Sequence, residues 1–160
     1  MPTLPLLALL LAPSADPKAK DYGTLFPAVG GTYDTKIQKP EVGKGDPPDT
    51  YSQVCTYTWT GGRIETLTVT LARDPAFKEK YSAEAMKKEK APPKEVKVGK
   101  KKAYLWELPD EKGARLVVVL SDDKAVIVEQ AGTGQDLVKW AAKWKVDAME
   151  KALDTPPAAK

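Results

Sequence analysis

The sequence contains no histidine and one cysteine, Cys55. Without histidine the chain lacks the commonest general base and the commonest metal ligand. Ser-His-Asp, Cys-His and His-ligated zinc chemistry are therefore excluded within the chain. A single cysteine builds neither a Cys-rich zinc site nor an internal disulfide. Strong charge of one sign is also absent: 25 Lys and Arg stand against 22 Asp and Glu, a net charge of +3. Nucleic-acid binders usually show a larger, clustered basic excess, so no nucleic-acid partner is expected. No apolar run is long enough to cross a bilayer comfortably.

What is present fits one domain. At 160 residues and 42% hydrophobic composition, the chain can bury roughly two-thirds of the surface its unfolded form exposes. It needs no metal, disulfide or cofactor for stability. Residues 1–15 read as a signal peptide, with an apolar run from Leu4 to Ala12 followed by the small residues Ala12, Pro13, Ser14 and Ala15. Neither Lys nor Arg precedes the run. Cleavage is expected near Ala15, with export to the periplasm or medium and no transmembrane span in the mature chain.

Residues 16–50 read as a mostly irregular segment before a core domain at 51–155; either 22–30, around Leu25, Phe26 and Val29, pack on that core, or part of the apolar arc of its last helix is left for a partner. Residues 156–160 are a tail. Tyr51–Thr60 and Ile64–Ala72 alternate at strand period. A three-residue loop, Gly61 to Arg63, sets Cys55 opposite Val69 and Tyr57 opposite Leu67, which keeps apolar beside apolar. Asp74 and Pro75 predict a helix start, followed by the stripe Phe77, Tyr81 and Ala85. Strands follow at Ala103–Leu108, Arg115–Leu120 and Ala125–Glu129, with a short extended piece at Val96 and Val98. The hairpin around Ser121–Lys124 is apolar on both faces and is expected at the centre of the sheet. Thr133 and Asp136 resemble a capping box for a helix running to about Leu153. Its apolar arc holds Leu137, Val138, Ala141, Trp144, Ala148, Met149 and Leu153, with Trp140 and Val146 at the edges. Lys145 falls inside it. The expected fold is α+β, two-layered, with a mainly antiparallel sheet of five or six strands covered by helices.

The segments QVCTYTW, LTVTLARDPAF, VGKKKAYLWEL and the VVVL…AVIV hairpin, with a closing helix, resemble a loose group of small bacterial exported or lipoprotein domains. Their architecture is similar to the Mog1/PsbP-like sandwich of sheet and helices, and the likeness spans about residues 22 to 153. The chain departs from the lipoprotein members in lacking a lipidated cysteine and a second cysteine to pair with Cys55. The resemblance implies fold and compartment and carries over no catalytic residues.

Each candidate chemical residue has a plainer role. Mid-strand Cys55 fits a core residue. Asp122–Asp123 fit a hairpin turn, and Asp46 and Asp49 lack calcium-loop spacing. The segment 87–102 holds eight lysines and two glutamates. It fits either docking to an anionic partner or a solvated connection. Lys100, Lys101, Lys102, Trp140 and Val146 are the candidate partner surface, and Trp140→Ala is expected to cost far less than Trp144→Ala. The sequence thus points to an exported, non-enzymatic domain binding a protein or an anionic envelope component. The alternatives are a structural subunit of an envelope assembly, or a histidine-free enzyme using carboxylates or lysine. Oligomeric state has no sequence signature.

Overall fold

In a computed structural model, residues 21–29, 33–59, 61, 65–108, 113–131 and 136–158 are described. The proposed signal segment and the Thr133 cap lie outside them. The strands are β1 (Tyr33–Ile37), β2 (Glu41–Val42), β3 (Tyr51–Trp59), β4 (Thr66–Arg73), β5 (Lys94–Val98), β6 (Lys101–Leu108), β7 (Gly113–Ser121) and β8 (Lys124–Ala131). They form one sheet in the order β1-β3-β4-β8-β7-β6-β5, with β2 beside β1 on the β3 edge. Every pairing is antiparallel.

The β3–β4 register is the expected one, with Cys55 opposite Val69 and Tyr57 opposite Leu67. Leu67, Val69 and Leu71 are wholly buried, whereas Thr66, Thr68 and Thr70 are half-buried on the other side. β7 and β8 lie at the sheet centre and are buried on both faces along Leu116–Val118 and Ala125–Val126, whereas Ile127 is half-buried and Glu129 exposed. The edge strand β5 carries Lys94, Glu95 and Lys97, charges that discourage edge-to-edge association.

The helices differ from the expectation. They are α1 (Phe77–Lys80), α2 (Ala83–Lys88), α3 (Leu137–Ala141) and α4 (Val146–Ala152), with a 3-10 turn at Tyr22–Leu25. Strand makes up 44% of the described residues and helix 21%. This is a mostly β fold built on one eight-stranded antiparallel sheet, and the expected α+β architecture of two layers, with five or six strands covered by helices, is not what forms.

Three local causes account for the difference. The predicted helix to Leu153 breaks at Ala142–Lys145, and its over-wide arc is two narrower arcs of different phase. Leu137, Trp140, Ala141 and Trp144 belong to the first, Met149 and Leu153 to the second. Lys145 sits at the break and is exposed. The predicted stripe Phe77–Tyr81–Ala85 likewise breaks at Ser82, whose hydroxyl accepts from the Ala85 N–H and caps α2. Finally, β1 and β2 form within the segment read as mostly irregular. Asp136 caps α3, accepting from the Lys139 N–H at 3.1 Å.

We call the face packed by α3, α4 and the 3-10 turn the inner face. Its core runs from Cys55, Leu67 and Val69 through Leu116, Val118 and Val126 to Trp140, Trp144 and Leu153. Leu25, Phe26 and Val29 pack against this core. The Tyr22 hydroxyl donates to the Thr155 carbonyl at 2.7 Å. The outer face carries a smaller cluster under α1 and α2, of Ala72, Phe77, Tyr81, Met86, Tyr104, Val117 and Ala125.

Candidate functional site

The three adjacent lysines have separate fates. Lys100 is exposed in the β5–β6 turn beside Gly99, whose φ of 59° suits glycine. Lys101 leans inward, where its ammonium donates to the Leu120 carbonyl at 2.8 Å and pairs with Glu150 of α4. Lys102 is half-exposed, 3.9 Å from Glu95. Lys101 is thus a tie between sheet and helix. Lys101→Gln is expected to lower stability by about 1–2 kcal/mol. Lys100→Gln should stay within about 0.5 kcal/mol of the parent, as urea titration of both variants would show.

Trp140 is only 8% exposed. Its indole N–H donates to the Ala28 carbonyl at 3.3 Å. It meets Tyr57 and Trp144 edge to face, at centroid distances of 6.1 and 4.9 Å. The segment 22–29 covers this edge of the helical arc, and Trp140 offers little to a partner. Val146 is half-buried against the same core. The lysines and this pair do not converge on one surface: Lys100 and Lys102 project from the β5–β6 hairpin, whereas Trp140 faces Tyr57 of β3.

Cys55 is fully buried, and burial pushes its thiol up from the ordinary value. Since the thiolate is the reactive form, a thiol reagent is expected to label folded protein only as fast as the core opens, and denatured protein within mixing time. Rapid stoichiometric labelling of folded protein would refute the core role. Asp123 accepts from Arg73 Nε at 2.6 Å and from the Ser121 hydroxyl at 3.2 Å. Its neighbour Asp122 is exposed, 3.6 Å from Lys78. These contacts hold the β7–β8 turn and the end of β4 together. Among the described residues no group of three or more His, Cys, Asp or Glu is placed to hold a metal ion.

The sequence reading overlooked the outer face of β3, β4 and β8. Helices α1 and α2 reach only part of the sheet. Val54, Thr56, Thr66, Thr68, Thr70 and Ile127 remain half-buried, and Thr58 and Glu129 are exposed. Among the described residues no helix packs over β3 on this side. Two clefts lie end to end along the outer row of β4. One, of about 390 Å³, is lined by Glu41, Ser52, Thr70, Arg73, Asp74 and Phe77, among others. The other, of about 360 Å³, is lined by Thr66, Thr68, Leu108, Arg115 and Glu129, among others.

Beside the second cleft is a corner rich in unmatched polar groups. Arg115 Nε is buried without a hydrogen-bond partner and lies 3.7 Å from Glu129. The Arg115 guanidinium stacks 5.5 Å over the Trp106 ring. The Trp106 indole N–H donates to Glu89 at 2.9 Å. Tyr81 and Tyr104 are 6% and 2% exposed; the Tyr104 hydroxyl has no partner, and the Tyr81 hydroxyl lies beside the Arg115 guanidinium. Burial raises the Tyr81 phenol, while the neighbouring Arg115 charge works in the opposite direction. The corner draws on α1's end, β6, β7 and β8. None of its groups is set up as a nucleophile with a paired base.

Comparison with protein families, curated proteins and solved structures matched none of them. The Mog1/PsbP-like resemblance therefore rests on the sequence patterns alone.

Proposed function

We propose that the chain is an exported, non-enzymatic binding domain whose contact surface is the outer face of β3, β4 and β8. The observation that supports this reading is the part of the outer face left uncovered. Threonine hydroxyls interleave there with Val54, clefts border it at both ends, and α1 and α2 reach only its near side, where Ile127 packs against the cluster beneath them. A sheet face with no partner usually shows cleaner polar alternation. This one mixes apolar area with hydroxyls that can donate and accept. The export part of this reading is supported by the N-terminal apolar run and its small-residue boundary. Among the described residues no helix is long and apolar enough to cross a membrane.

The test is amide-shift mapping of the labelled domain against an extract of the source organism's envelope. Perturbations should concentrate on residues 52–58, 66–70 and 127–129. They should vanish in a Thr56→Lys, Thr68→Lys double variant whose melting curve matches the parent. Perturbations confined to Lys100 and Lys102 would transfer the role to the lysine hairpin. A spectrum that does not change would refute the binding reading.

A further inference from the structure

We propose that the open edge of β1 pairs with the same edge of a second copy of this chain, antiparallel and two-fold symmetric about Thr35, so that the two sheets become one. This interface is separate from the outer-face reading above and does not rest on it.

β1 borders the sheet, and among the described residues no strand pairs with its far side. Two hydrogen bonds fix which backbone groups point there. The Gln38 N–H donates to the Val54 carbonyl at 2.8 Å, and the Trp59 N–H to the Glu65 carbonyl at 3.0 Å. Even positions of β3 therefore bond toward β1, and odd positions toward β4. Thr58 and Thr56 stand opposite Asp34 and Lys36, which are the β1 residues bonded to β3. Antiparallel ladders alternate, so Thr35 and Ile37 turn their N–H and C=O groups to the open side. Asp34 and Lys36 share the outer face with Thr58 and Thr56, whereas Thr35 and Ile37 lie on the inner side with Tyr57 and Cys55.

Pairing through the open side sets odd positions against odd ones. A slip in one direction puts Asp34 opposite Asp34 of the other copy. A slip in the other puts Lys36 opposite Lys36. Like charges directly opposite are destabilising. The centred register puts Thr35 opposite Thr35, Asp34 of each copy opposite Lys36 of the other, and Ile37 opposite Tyr33. It engages the whole strand and covers the exposed Ile37. Both ion pairs fall at positions without backbone bonds between the copies, where facing side chains come closest. Among the described residues neither Asp34 nor Lys36 has an ion-pair partner of its own. The opposite border differs. On β5, Lys94 pairs with Glu107 at 2.9 Å and Glu95 with Lys102 at 3.9 Å, both on β6, so these charges are matched within the chain. A two-fold pairing also closes on itself, which limits assembly to a dimer.

The test is sedimentation of the full chain from about 0.01 to 1 mM, since so short an edge pairing belongs with weak, reversible complexes. A monomer–dimer equilibrium is the expected result. Amide exchange should slow with concentration at Thr35 and Ile37, but not at Asp34 and Lys36, whose amides already face β3. Asp34→Lys and Lys36→Glu each make both charge pairs repulsive. Each should weaken the dimer about tenfold or more and leave the melting temperature of dilute protein unchanged. Mixed together, the two variants restore opposite charges at both pairs and should associate as tightly as the parent, which misfolded variants would not do. A chain still monomeric at about 1 mM, a dimer indifferent to both substitutions, or a mixture no tighter than its components would overturn the proposal.

Discussion

Replacing Trp140 with alanine is expected to lower stability by on the order of 3–5 kcal/mol, as much as replacing Trp144. Both indoles are 8% exposed and stack edge to face. Their polar handles differ. Trp140 Nε1 is bonded to the Ala28 carbonyl, whereas Trp144 Nε1 is buried without a partner. Phenylalanine should separate the two positions. Trp140→Phe forfeits a hydrogen bond and loosens segment 22–29. Trp144→Phe removes an unpaired N–H and should cost less. Denaturant titration with unchanged slopes checks the order. A Trp140→Ala variant within 1 kcal/mol of the parent, roughly the worth of one ordinary hydrogen bond, would mean that segment 22–29 does not seal the core.

The second large effect is expected at Gln53, which is 1% exposed near the start of β3. Its side-chain oxygen accepts from the Tyr22 N–H at 2.6 Å, and its amide donates to the Gln38 carbonyl at 2.9 Å. One buried side chain on β3 thus joins the 3-10 turn to the residue that follows β1. Gln53→Leu keeps the volume close but orphans a buried backbone donor. A loss of about 2–4 kcal/mol is expected, with faster hydrogen exchange at Tyr22 and along β1. A loss confined to overall stability, with exchange at Tyr22 unaltered relative to the core, would show that the side chain merely fills space.

The sheet core was legible because its strands obey period-two burial. Pairing apolar Cys55 and Tyr57 with Val69 and Leu67 was enough to select the β3–β4 register. The edge strand β1 was not legible. Its sequence YDTKI is half-exposed or exposed throughout, with Ile37 at 44%, so it lacks a buried row. The helix breaks were hidden for a different reason. Neither Pro nor Gly marks residues 142–145, and a continuous apolar arc is what two out-of-phase stripes look like on a single wheel. Ser82 was a readable cap, overshadowed by the longer stripe.

The candidate site was the least legible part. Tyr81 read as a helix-stripe residue and Arg115 as the start of a strand. Only the path β4-β8-β7-β6, with α1 laid across it, brings them beside Tyr104 and Glu129. The nearest sequence signal was the unbroken threonine row of β4, Thr66, Thr68 and Thr70.

The contact between Tyr22 and Thr155 has an engineering consequence. These residues stand 133 positions apart in the chain, yet one side chain bridges them, and Tyr22 also lies 6.4 Å, ring to ring, from Tyr51. The two ends of the described fold are therefore neighbours in space, the geometry that tolerates circular permutation. A short flexible linker from residue 158 back to residue 21, with new termini opened at the exposed Gly99–Lys100 turn, should leave every strand pairing except β5–β6 covalently as before. Such a permutant would turn the sheet's outer face into a surface whose flanking ends can be chosen.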